Sequence, residues 1–343
     1  MTTKLTTASQ LRQISNYGKR VCANLPANPD SLARKACSVM EDTIVSPFPT
    51  PYIYQLSRVI QVTSLAARYS GNALQSSFAN AAYSGVLKHA YNGHIHNGLT
   101  PGGGSIRFYD DNAWTGQMFV QLYHQTGEAK FLDAAKQELT FERTGQVKGG
   151  GLIWNTGTTK IDAGSTGGAI KLALQLHEID KDSSQLSFAR YNYHWMRQTL
   201  LQSNNLYLDS ITASGQLEGT TSPAHQSFMI DSGRLMTMAT GNQTYANQAL
   251  QTAEASIKRF DSRTWNNFSP VQFAEWYSSL QRLDNVVNNA AYTQDWTASF
   301  HTYLDHIRNV INTTTGKMPW PNSEEASLVQ SGASWILTMR AGM

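Results

Sequence analysis

The chain has 343 residues and a formal charge of +3 with no run of Lys or Arg, so a nucleic-acid partner is not expected. Hydrophobic residues make up 41% and charged residues only 15%. Disorder is thereby excluded, and a polar surface of Asn, Gln, Ser, Thr and Tyr suited to neutral polyols is expected.

No stretch approaches the roughly 18 apolar residues of a membrane span, so no membrane partner is expected. The opening MTTKLTTASQLRQ lacks the apolar core of a secretory signal. The location is therefore cytoplasmic if the chain is complete, or secreted if a leader was removed. The first amphipathic segment, TASQLRQISNYGKRVCANL, carries Cys22, and Cys37 follows. This pair fits no metal spacing and is too small for a disulfide scaffold, so buried free thiols are expected.

Helix-turn-helix signals then recur along the chain. LARYSGNALQSSFANAAYSGVLKHAY turns at Ser70-Gly71, and VQLYHQTGEAKFLDAAKQELTF turns at Thr126-Gly127. LALQLHEIDKDSSQLSFARYNYHWM turns near Asp180-Lys181, and LMTMATGNQTYANQALQTAEASIKRF at Thr240-Gly241. After each turn an aromatic residue (Phe78, Phe131, Phe188, Tyr245) starts a second amphipathic helix. The turns are about 56, 54 and 60 residues apart, the period of a helix-pair array. A fifth pair, PVQFAEWYSSLQRL and AYTQDWTASFHTYLDHIRNVI, turns around Asn285–Asn289. The last helix, SEEASLVQSGASWILTMRA, lacks a following partner and the first lacks a preceding one. Packed together they make six pairs. The expected fold is all-α, an (α/α)6 toroid forming one domain over residues 1–343, with inner helices starting near residues 52, 111, 162, 223, 270 and 324.

In such a ring the loops entering the inner helices gather at one mouth. Those loops, HNGLTPGGGSIRFYDD, TGQVKGGGLIWNTGTTKIDAGS and LDSITASGQLEGTTSPAHQ, are long and Gly-rich, and long irregular loops carry function. Residues 107–114, 154–166 and 209–226 are expected to converge. His89, His94 and His96 cluster in KHAYNGHIHNG, yet no cysteine or carboxylate follows at ligand spacing, so no metal is expected. The Gly runs at 102–104 and 149–151 lack a following Lys-Ser/Thr and are not phosphate loops. No cofactor is expected.

The sharpest local feature is Phe108-Tyr109-Asp110-Asp111-Asn112-Ala113-Trp114. Adjacent carboxyls do not both ionise equally, and an acid and a base held side by side are what glycosidic cleavage needs. An Asp before a helix is also a common cap. FYDDNAWTGQMFVQLYHQTGEAKFLDAAKQ resembles the signature helix of glycoside hydrolase family 76, the endo-α-1,6-mannanases, in which Tyr, two Asp and a Trp three residues on open an inner helix of an (α/α)6 barrel. GGGLIWNTGTTKIDAGSTGGAIKLALQLHEI and LYLDSITASGQLEGTTSPAHQSFMIDSGRLMTMATGN resemble later family segments, so the likeness covers roughly residues 50–340.

The resemblance implies Asp110 as nucleophile and Asp111 as general acid/base of a retaining reaction, with carboxyls about 5–5.5 Å apart. It implies substrate-contacting roles for Tyr109, Ser165, Asp209 and Gln226. Trp114 is a sugar platform or core, Trp154 a stacking or a packing residue, Asp162 a helix cap or a hydroxyl contact, and His225 a further contact. Thr115 stands where the family has a second Trp, and Asp162-Ala163-Gly164-Ser165-Thr166 replaces Asn-Ala-Ile-Ser-Asn, so the substrate is an α-1,6-mannan or a related α-glycan. The expected partner is an oligo- or polysaccharide substrate, and the protein is expected to act as a monomer. A uronyl hydrolase or lyase is disfavoured by mouth loops with few Arg or Lys. A non-catalytic carbohydrate-binding protein is disfavoured by the intact Asp pair.

Overall fold

The computed structural model describes residues 7–26, 31–43, 52–91, 94–95, 106–319 and 326–340. Among these lie thirteen α-helices: α1 Thr7–Ala23, α2 Ser31–Thr43, α3 Ile53–Ala67, α4 Asn72–Val86, α5 Tyr109–Thr126, α6 Ala129–Thr144, α7 Ala163–Asp180, α8 Ser183–Thr199, α9 Pro223–Thr240, α10 Gln243–Arg259, α11 Pro270–Val287, α12 Ala290–Val310 and α13 Ala326–Arg340. Short strands β1 (Ala90–Tyr91) and β2 (His94–Ile95) form a hairpin, and β3 (Ile161–Asp162), β4 (Ser210–Ile211) and β5 (Leu217–Glu218) an antiparallel sheet. None of these helices is long and apolar enough to cross a membrane.

Helix starts and stops follow local chemistry. The helices expected to begin near 52, 111, 162, 223, 270 and 324 open at Ile53, Tyr109, Ala163, Pro223, Pro270 and Ala326. Pro at the first helical position costs no hydrogen bond and presets φ. Gly241, at φ 70°, stops α9, and Lys181 and Asn288 take the same left-handed conformation after α7 and α11. Asp182 and Asn242 cap the next helices by accepting the N–H of Ser184 and Thr244. The expected aromatics Phe78, Phe131, Phe188 and Tyr245 are buried. α7, α9 and α11 are buried around most of their surface, whereas α8 and α10 bury one stripe.

The chain divides into two compact units, one of residues 1–105, 118–134 and 304–343, the other of 106–117 and 135–303. In the first, α1 packs on α2 and α4, and α13 on α2 and α3. The last helix was expected to pair with the first. Its main partner is instead α2, a short helix that the repeat pattern does not reveal. Buried Gln330 of α13 seals the contact, donating to the carbonyls of Ala36 (3.0 Å) and Gly316 (2.9 Å). The cysteine expectation is also corrected: Cys22 and Cys37 form a disulfide. The packing of α1 on α2 brings their Cα atoms to 5.5 Å, within bridging range.

In the second unit α9 packs between α7 and α11, with α8 laid on α7 and α10 on α9. Asp231 of α9, fully buried, ties three helices together. It accepts two hydrogen bonds from Arg282 of α11 (2.8 and 2.6 Å) and pairs with Lys171 of α7 at 3.0 Å and Arg234 at 3.6 Å. Burial pushes the Asp231 carboxyl up, but Arg282 and then Lys171 outweigh it and hold the group well below the usual carboxylate range.

Two stability outcomes follow. Asp231→Ala strands buried cations and should cost about 3–5 kcal/mol, read from urea denaturation; an unchanged midpoint would refute this role. Replacing both cysteines by Ser, 15 residues apart, should cost about 3 kcal/mol through loop entropy, visible as a lower melting temperature.

Candidate active site

The three segments expected to converge are joined through backbone hydrogen bonds. Tyr109 N–H donates to the Trp154 carbonyl (3.0 Å) and Thr156 N–H to the Arg107 carbonyl (3.0 Å). Trp154 N–H donates to Lys160 (2.9 Å), Asp162 N–H to Leu152 (3.0 Å) and Ala163 N–H to Asp209 (2.7 Å). β3 pairs with β4 and β4 with β5. The mouth loops are thus a small continuous sheet that fixes the starts of α5 and α7.

Asp110 and Asp111 lie in the first turn of α5. Asp110 is half-buried; one oxygen accepts the Asp111 N–H (3.0 Å), the other the indole N–H of Trp154 (3.4 Å). Asp111 is buried, and its carbonyl accepts the Thr115 hydroxyl at 2.8 Å. Thr115 thereby braces the first turn of α5. Burial and then the neighbouring Asp162 push the Asp110 carboxyl up to about 7.

Asp162 caps α7, its Oδ1 accepting the Ser165 N–H (2.8 Å) and hydroxyl (3.0 Å). Burial raises its carboxyl above the usual range, against the lowering effect of His225. Gly164 sits between the acids: a Cβ there would lie 3.0 Å from Asp162 Oδ1 and 3.7 Å from Asp110 Cβ. A side chain at this position would crowd the Asp162 carboxyl and touch the Asp110 side chain. Beyond them, Asp209 pairs with Lys160 Nζ at 3.2 Å and lies 3.6 Å from His225 Nε2. Trp154, 39% exposed, has Phe108 against it at 5.1 Å and Lys160 5.7 Å from its ring centre.

Other expected contacts are placed differently. Gln226 is fully buried, and its amide donates to the Tyr207 and Ser222 carbonyls and accepts the Tyr207 N–H. It holds the segment at Tyr207 that leads into β4. Ser165 is fully buried on the Asp162 cap. Tyr109 is also buried, its ring stacked 4.6 Å from Phe141 and its hydroxyl 3.2 Å from Thr144. Both side chains help to seat helices. Trp114 is half-buried with its ring 6.4 Å from Phe228. His96, the His94 side chain and the 102–104 Gly run lie outside the described residues.

Sequence reasoning missed Lys160, Glu138 and Glu142. Glu138 and Glu142 are buried on α6. Burial holds both carboxyls well above their usual range, with Glu138, Asp110 and Asp111 adding to the effect at Glu142. Their signal was available: two acids four residues apart on the apolar face of an amphipathic helix.

Residues 36–314 match the model of Glycosyl hydrolase family 76. No curated protein matches the chain at the level of sequence. Among solved structures the chain is similar to a family 76 α-mannanase of Bacteroides thetaiotaomicron, with 18% identity and a TM-score of 0.77 over 93% of this chain and 98% of that one. It is also similar to an α-1,6-mannanase of Salegentibacter sp. HEL1_6, with 17% identity and a TM-score of 0.73 over 96% and 99% of the two chains. An inactive variant of that mannanase, with two consecutive aspartates changed to asparagine, is in complex with α-1,6-mannotriose; it shows 15% identity and a TM-score of 0.71 over 96% and 99%. These likenesses show the fold, the (α/α)6 architecture of the family 76 enzymes.

Asp162→Asn keeps a capping oxygen and removes the negative neighbour. The Asp110 carboxyl should then titrate lower by on the order of one pH unit, measured by carbon NMR of labelled aspartate. An unmoved titration would show that Asp162 does not act on Asp110.

Proposed function

Because the chain belongs to glycosyl hydrolase family 76, we propose that it cleaves α-1,6-linked mannan or a related α-glycan with retention, Asp110 acting as nucleophile and Asp111 as general acid/base. The observation that carries this reading is the placement of both acids in one helical turn, braced by the joined mouth loops, with Trp154 touching Asp110. The inactive relative with two consecutive aspartates replaced, in complex with α-1,6-mannotriose, supports the same pair.

In the proposed first step an Asp110 oxygen bonds to the anomeric carbon as the glycosidic bond breaks, and Asp111 gives its proton to the leaving oxygen. In the second, Asp111 takes a proton from water, whose oxygen displaces Asp110 from the anomeric carbon. The exposed Trp154 ring offers a sugar platform. Asp209, Lys160 and His225 offer polar groups to hydroxyls. A lyase or uronyl hydrolase would want a free cation for a carboxylate, and Lys160 is engaged by Asp209. The reading takes residues 1–343 as one catalytic domain that acts as a monomer. The Cys22–Cys37 bridge favours an oxidising compartment, where a polysaccharide is met outside the cytoplasm.

Asp110→Asn and Asp111→Asn should each lower reducing-sugar release from α-1,6-mannan by about 10²–10⁴-fold or more, with melting temperature held or raised as like charges are removed. Full turnover in either variant would sink the assignment. A nucleophile must be ionised, so kcat/KM should rise as pH increases through about 7, where Asp110 loses its proton. Loss of activity on the alkaline side of the same pH would exchange the two roles.

A further inference from the structure

Helix α8 has a second face that packing does not explain. Its buried stripe contains Phe188, Asn192, Tyr193 and Met196. Ser187, Arg190, Tyr191, His194, Trp195 and Gln198 follow helical spacing on another stripe and line a groove of about 360 Å³, within the range of small-ligand sites. A solvent-facing helical stripe ordinarily carries charged residues. Here it carries Tyr191, 47% exposed, and a half-buried Trp195, and none of the described lining residues is acidic.

The glycine run at 149–151 forms one edge. Its φ angles are 102°, 110° and 83°, conformations that favour glycine. A Cβ on Gly150 or Gly151 would come within 2.8 or 2.7 Å of the Trp195 side chain. Asn192 Oδ1 accepts the Gly151 N–H at 3.0 Å. The run therefore seats the Trp195 indole while leaving part of the ring in the groove. The same chain continues through Leu152 and Ile153 to Trp154 beside Asp110.

We propose that this groove is a second carbohydrate-binding site, which takes a short hexose segment of the polysaccharide that the active site cleaves. It rests on the α-mannan reading for the identity of that polymer. The chemistry is that of a neutral sugar: aromatic rings meet the apolar C–H face of a pyranose, while the Arg190, Gln198, Ser187 and His194 side chains supply hydrogen bonds to its hydroxyls. A purely apolar occupant would bury these polar groups without partners, at a cost.

The test compares wild type, Tyr191→Ala and Tyr191→Phe. Tyr191 is exposed, so its truncation should leave the fold intact. Native gels cast with α-1,6-mannan should retard wild type and Tyr191→Phe, and Tyr191→Ala less. On polymeric mannan, Tyr191→Ala should raise KM by about threefold to tenfold, with kcat/KM for α-1,6-mannotetraose unchanged. Equal retardation of Tyr191→Ala and wild type, or no retardation of wild type, overturns the proposal. Equal losses on polymer and tetraose also overturn it, since they place the effect at the catalytic site. So does Tyr191-dependent self-association in sedimentation. If wild type hydrolyses no α-glycan but its retardation still depends on Tyr191, the hydrolase reading fails and the groove stands.

Discussion

The candidate site depends on two acids, Asp110 and Asp162, on either side of Gly164, with Asp162 close enough to act on the ionisation of Asp110. Like charges in a poorly solvated place repel, and the chain holds them by backbone geometry. Asp110 is fixed by the first turn of α5 and the Trp154 indole, and Asp162 by its duty as the cap of α7. Each acid has a local structural reason to be where it is. Burial first, and then the nearness of Asp162, raise the Asp110 carboxyl into the range where it changes charge near neutrality.

Rigidity for this arrangement comes from two sources. The strand pairing among residues 107–109, 152–162 and 210–218 satisfies the backbone of loops that would otherwise be irregular. Beneath it, the ion cluster around Asp231 clamps α7, α9 and α11. An isolated charge there would be costly, but a carboxylate shared among Lys171, Arg234 and Arg282 is satisfied. Gln226 does comparable work in neutral form, tying the start of α9 to Tyr207.

The two aromatic surfaces of this unit are built differently. Trp154 reaches its exposed position from a loop, and its N–H is directed at the Asp110 carboxyl. Trp195 sits on a helix and is shaped by the glycine run packed against it. One surface stands beside the acid pair proposed for cleavage; the other has no acidic residue among its described lining and is proposed to hold a chain.

What the sequence by itself determined was local and periodic. The helix starts, the left-handed stops, the aromatic after each turn and the acid pair at the head of α5 all depend on residues within a few positions of one another, where side-chain and backbone preferences act directly. The family likeness of FYDDNAW added the fold and the chemistry to be expected. Only tertiary structure decided the rest. The partner of α13, the Cys22–Cys37 bridge, the effect of Asp162 on Asp110 and the burial of Gln226, Ser165 and Tyr109 against their neighbours all join residues distant in sequence or turn on burial. Whether a polar side chain faces a ligand or a neighbour's backbone depends on which unsatisfied group packing brings to it, and no spacing along the chain encodes that.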